Sequence, residues 1–148
     1  MVLRKPLVFI RKLRSLDRGE LKFATQAWLL APLIETSLLT LGVKRTIEGI
    51  EFLFRAKTPS TPNTPHAQRA EQLVNAAYRR HLVRGECLPR SLVQFSLMRR
   101  AGKHVRFVMG VNTHEDFRAH AWVEAGGSES SRAQAQGLPF EKLLVVES

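Results

Sequence analysis

Apolar positions in the first third of the chain recur at helical spacing. Pro6 suits a first helical turn, and Phe9, Ile10, Leu13 and Leu16 follow it on one face. Asp17 is a natural cap for a second helix running to about Ala31, where Pro32 is expected to break or kink it. Leu33 to Leu41 continues the pattern and Gly42 is a stop signal. Val43, Ile47, Ile50 and Phe54 then share one face of a further helix, with Lys44, Glu48, Glu51 and Arg55 elsewhere. The stretch 58–65 carries Pro59, Pro62 and Pro65 among threonines, which favours extended chain and marks a linker.

Beyond the linker the period changes along the chain. His66 to Val83 reads as a helix with an apolar stripe of Ala70, Leu73, Val74, Ala77 and Leu82, ended by Gly85. Cys87 or Leu88 opens another, with Pro89 tolerated in its first turn. Leu92, Phe95, Leu97 and Met98 can bury one side of it before Gly102. Val105, Phe107, Met109 and Val111 then alternate with other residues, a strand signature. Ala119 to Ala125 is a second strand closed by Gly126-Gly127, and Leu143 to Val146 is a short last one. Helices followed by antiparallel strands predict an α+β fold, with a helical region over 1–57, a linker over 58–65 and the main domain over 66–148.

Composition narrows the setting. One cysteine among 148 residues cannot form an internal disulfide, which suits a reducing cytoplasm. The net charge of +10 is spread along the chain and allows an acidic peptide, nucleic acid or anionic lipid as partner. The arginines scatter over predicted helix faces and form no stripe, so nucleic acid is not expected. The apolar run near the N-terminus, Leu7 to Ile10, is too short for a signal sequence. Phe23 to Val43 contains no Lys or Arg, yet Glu35, Pro32, Gln26 and several hydroxyls argue for a buried helical pair and against membrane contact.

The chemistry centres on Cys87. A thiol at a helix start meets backbone amides and a positive dipole end that favour a thiolate and can hold an oxyanion. Arg84 and Arg90 add positive charge nearby, while Glu86 opposes it. His120 lies on the strand Ala119–Ala125 and shares a face with Trp122 and Glu124, flanked by two alanines that leave space beside its ring. Nucleophile and base in this order form a Cys-His pair, against which stands a small buried cysteine and a surface histidine. His81, His104 and His114 sit in charged surroundings, and His66 follows the linker. For a third group that orients the imidazole, Asp116 and Glu129 are both open. Paired metal-ligand spacing and Gly-rich phosphate loops are lacking, so no metal or cofactor is expected.

Cys87-Leu88-Pro89-Arg90-Ser91-Leu92, Arg99-Arg100-Ala101-Gly102, Gly110-Val111 and Ala119-His120-Ala121-Trp122-Val123-Glu124 together resemble the protease of lasso-peptide maturation. That family comprises the microcin-processing, transglutaminase-like "B" proteins, and the resemblance covers about residues 66–148, including Pro139-Phe140. It implies a papain/transglutaminase-like fold and a cytoplasmic cysteine peptidase with Cys87 as nucleophile and His120 as base. The substrate would be the leader of a ribosomally made precursor peptide. The family carries an aspartate about a dozen residues past the histidine, where this chain reads Ser130-Ser131-Arg132-Ala133 and leaves Glu129 as the candidate third member. The resemblance further implies two partners: a separate leader-recognition protein, and an ATP-dependent macrolactam synthetase that takes the freed core. The alternative is a relative of the same fold that transfers the acyl group to an amine, or binds peptide without catalysis.

Overall fold

Asp17 starts the first helix through its side chain. In the computed structural model, which describes residues 16–55, 64–79, 86–112, 118–126 and 141–147, its carboxylate accepts from the Arg18 amide at 2.7 Å. Glu20 reaches back to the Asp17 amide at 3.3 Å, so two amides that the first turn leaves unpaired are satisfied. The helix α1 then runs from Arg18 to Leu53.

Pro32 does not end it, contrary to the sequence pattern. A mid-helix proline removes one bond, to the carbonyl four residues earlier, and clashes with that turn, yet the helix continues through it. Gly42 is the true discontinuity. Its φ of 77° and ψ of 175° lie outside helical space, and glycine adopts positive φ without steric cost. The stop expected at Gly42 therefore divides the element into two helical segments, and Pro32 lies inside the first of them. The segment before Leu16, including Pro6, lies outside the described residues, as do 58–63 of the linker.

Helix α2 spans Ala67–Tyr78 and buries Ala70, Leu73, Val74 and Ala77 of the expected stripe, and Tyr78 besides. The residues 80–85 that the pattern assigned to its end lie outside the described ones. Arg69 on α2 binds Glu20 on α1 at 2.6 Å, an exposed pair joining the two helix starts. Helix α3 spans Cys87–Arg100, with Pro89 in its first turn as expected. Gly102, at φ 75°, closes it by returning its amide to the Arg99 carbonyl. Every residue from Ser91 to Met98 is buried, so α3 is central rather than one-sided. It lies between α1, α2 and the sheet, and lost its expected solvent face to that position.

Strands β1 (Val105–Asn112), β2 (Arg118–Ala125) and β3 (Glu141–Glu147) form an antiparallel sheet in the order β2-β1-β3. Strict alternation fails in β1 because both of its faces are covered. Phe107 and Val123 are paired across β1 and β2 and join the main core, with Phe107 6.0 Å from the Phe95 ring on α3. Val108 and Trp122 are paired on the opposite face and form a small second cluster. The element order and sheet establish the α+β class. One core cluster takes Phe23, Ala27, Leu30, Ile34, Ile47 and Ile50 from α1 together with residues of α2, α3 and the sheet.

Candidate active site

Cys87 is the first residue of α3, half-exposed and unpaired with any other cysteine. Glu86, the residue before it, is extended and makes no side-chain capping bond. Pro89 has no amide. The amides of Cys87 and Leu88 therefore end the helix without a side-chain cap from Glu86, in the place where a thiolate or oxyanion would gain most.

His120 lies on β2, the edge strand on that side of the sheet. Its cross-strand neighbour is Gly110, which places no side chain beside the imidazole. Along its own face comes Trp122, whose ring stacks on the imidazole at 5.8 Å and 20°. The His120 Nε2 is shielded from solvent. Helix start and strand are locked together by Ser91, one turn after Cys87, whose hydroxyl donates to the Ala121 carbonyl at 2.8 Å. That buried bond spans 30 residues of sequence and sets the register of the cysteine's helix against the histidine's strand.

Cys87 and His120 both border one small cavity of about 20 Å³, room for roughly one water molecule. The His120 ring stacks with Trp122 on the sheet face away from the core that α3 packs on. Of the other walls, Glu71, Asn75 and Gln94 were not singled out in the sequence. Ser91 and Gln94 lie with Cys87 and Arg90 at positions i, i+3, i+4 and i+7, one polar line along an otherwise buried helix. That line is readable from spacing alone. Glu71 and Asn75 on α2 follow the same rule, but only packing brings α2 to the site. Gln94 donates to the Ala67 carbonyl at 2.9 Å and so ties α3 to the start of α2.

Arg90 is held at the cavity by two neighbours. Its Nη1 donates to Asn75 Oδ1 at 3.3 Å, and the guanidinium lies 5.4 Å over the Tyr78 ring. Burial pushes the Tyr78 phenol far above its ordinary range; Glu35 pushes it further and Arg90 opposes them. The phenol stays neutral at any physiological pH and serves as a flat support for the cation.

Glu124, the third residue on the histidine face, has another task. Its buried carboxylate accepts from Trp122 Nε1 at 3.1 Å and from Lys142 Nζ at 2.8 Å, and pairs with Arg106 at 2.8 Å. Burial alone would raise its pKa, but Lys142, Trp122 and Arg106 outweigh burial and hold it below the ordinary value. It fixes the tryptophan behind His120 and clamps β3 to β2 across β1. Among the remaining histidines, His104 and His66 are exposed and line no part of this cavity. Glu129, Asp116, His81 and His114 lie outside the described residues. Among the described residues no group of three or more His, Cys, Asp or Glu side chains could hold a metal ion.

A family model of the transglutaminase-like superfamily matches residues 23–144, from the second turn of α1 into β3. The chain belongs to the transglutaminase-like superfamily. This superfamily includes cysteine peptidases, and its members commonly act as cysteine proteases or acyltransferases. The transglutaminase-like match thus takes in the helix that carries Cys87, the strand that carries His120 and much of α1. Comparison with curated proteins and with solved structures returned no match.

Proposed function

We propose that this transglutaminase-like chain is a cytoplasmic cysteine peptidase that removes the leader from a lasso-peptide precursor. One observation supports the reading: Cys87 at the start of α3 and His120 on β2 both border one small cavity, beside the Ser91–Ala121 bond that joins their two elements. A substrate-bearing partner is part of the reading as well. The cavity is too small to enclose a peptide, so a separate leader-recognition protein holds the leader and presents the scissile carbonyl at its mouth.

The Cys87 sulfur attacks that carbonyl as the thiolate, and the tetrahedral oxyanion is held by amides at the start of α3. Protonated His120 gives its proton to the departing amine, which leaves as the new N-terminus of the core peptide. Water then adds to the thioester, losing a proton to His120, and the leader departs as a carboxylic acid while the thiol is restored. Glu129 is the acid proposed to orient the imidazole. The core's free amine is the nucleophile that a macrolactam synthetase needs for ring closure.

Incubating the protein with a precursor and its recognition protein, and following the freed leader by mass spectrometry, tests the proposal. Cys87→Ala and His120→Ala should each reduce cleavage to background, a loss of at least roughly a thousandfold. Persistent cleavage by Cys87→Ala would overturn it.

A further inference from the structure

A second and larger hollow lies at the far end of α3 from Cys87. It holds about 390 Å³, against about 20 Å³ at the thiol, and so falls in the size range of ligand sites. Buried Phe23 on α1, Pro65 just before α2 and Leu97 on α3 give it an apolar floor. Arg18 and Lys22, one turn apart on α1, and Arg100, the last residue of α3, line it too, and all three are exposed. Among the described residues no acid lines it. The sequence leading into Leu16 and into Thr64 adds none: residues 1–15 hold five cations, residues 56–63 hold one more, and neither stretch holds an acid.

Helix stability does not account for Arg18. It opens α1 at the positive end of the helix dipole, where an acid is preferred and a cation is unfavourable. Arg99 and Arg100 both suit the last turn of α3, but only the Arg99 side chain is engaged: it donates to the Glu147 carbonyl at 3.2 Å and lies over the Phe95 ring. Arg18, Lys22 and Arg100 form no ion pair among the described residues. The acids nearest in sequence are committed elsewhere, Asp17 to the Arg18 amide at 2.7 Å and Glu20 to Arg69 at 2.6 Å. Three like charges around one hollow, with no counter-charge, set up a positive potential that an anion relieves. Phe23, the one aromatic residue among the described walls, is 5% exposed and offers no ring on which a nucleobase could stack. Carboxylates beside an apolar side chain match both the arginine forks and the floor.

We propose that this hollow is a docking site for an acidic peptide segment, with carboxylates on Arg18, Lys22 and Arg100 and an apolar side chain against Phe23 and Leu97. It shares no wall with the Cys87 cavity, so the proposal stands apart from the peptidase reading. The two lie towards opposite ends of α3, whose 14 residues span roughly 20 Å. On the peptidase reading, a substrate docked here reaches Cys87 only if at least about six extended residues separate its acidic segment from the scissile bond.

The test uses the full chain and a short dye-labelled peptide of glutamate, leucine and glycine, blocked at both ends, followed by fluorescence anisotropy. Saturable binding that salt weakens is expected, and the same peptide with glutamine for glutamate should bind at least roughly tenfold more weakly. Arg18→Glu with Arg100→Glu should lower affinity by a similar factor with the far-ultraviolet dichroism unchanged. Lys44→Glu with Arg45→Glu makes the same change of charge on α1 outside the hollow, and should leave affinity within about twofold. Were the first variant to misfold, Lys22→Gln decides the question through a loss of at least about threefold. No cleavage is read, so the outcome leaves the assignment of Cys87 untouched. Absence of saturable binding, equal binding of the glutamine peptide, or an equal loss in the Lys44 and Arg45 variant would overturn the proposal. So would displacement of the peptide by inorganic pyrophosphate at lower concentration than by unlabelled peptide, which would assign the hollow to a phosphate.

Discussion

Glu124 is the residue whose surroundings depart furthest from what its type suggests. It is 2% exposed, yet charged, because Lys142, Arg106 and the Trp122 indole surround it. Glu124→Gln should cost about 2 kcal/mol, less than a wholly buried pair, since Lys142 and Arg106 both keep contact with water. Its folded pKa lies below the ordinary 4.5, so its contribution is complete above that pH and fades as pH falls through the folded value. Urea unfolding from pH 7 to 3 should show this decline in the natural protein and a shallower one in the variant. At the site itself, Ser91→Ala removes the bond that joins the Cys87 helix to the His120 strand. It should cost about 1 kcal/mol of stability. Leader cleavage should fall by more than any loss of folded protein explains, read as kcat measured on the folded fraction. His120 and Cys87 could be chosen from sequence because their residue types are rare and their positions, at a helix start and between alanines, are chemically telling. Glu124 reads as one more strand glutamate until the sheet brings Lys142 beside it.

At the scale of elements, most boundaries follow local chemistry. The Asp17–Glu20 pair starts α1, Gly102 closes α3, and Gly126 closes β2, all of them short-range signals. Pro32 does not end the helix, because the burial of Phe23, Ala27, Leu30, Ala31 and Ile34 on one face holds the turns on both sides of it. Gly42 marks the kink, and Gly42→Ala should destabilise by about 1 kcal/mol despite the open space around a new Cβ, since an L side chain strains at φ 77°. A thermal melt should show the midpoint falling by roughly 3 °C. The alternation in β1 was only half legible. A strand covered on both sides loses its polar face, and Val108 needed Trp122 from the next strand to bury it.

For the whole molecule, the main consequence is that α1 belongs to the core. Its buried residues join one cluster with Leu73, Leu92, Phe95 and Phe107. The full chain should therefore unfold in one transition by circular dichroism. A fragment beginning at His66 should show no cooperative transition, because the α1-facing sides of α2 and α3 would be left bare. A fragment that melts sharply on its own would refute this.

The linear chain by itself determined the helical and strand periods, the α+β order, and which thiol and which imidazole were worth following. These depend on neighbours within a few positions, where spacing and residue type act directly. Tertiary structure decided that the middle of α3 would be buried on all sides, and that Glu71, Asn75 and Arg90 would wall the cavity with Cys87 and His120. Those outcomes turn on how helices and sheet stack, and stacking sets distances between residues that the sequence keeps tens of positions apart.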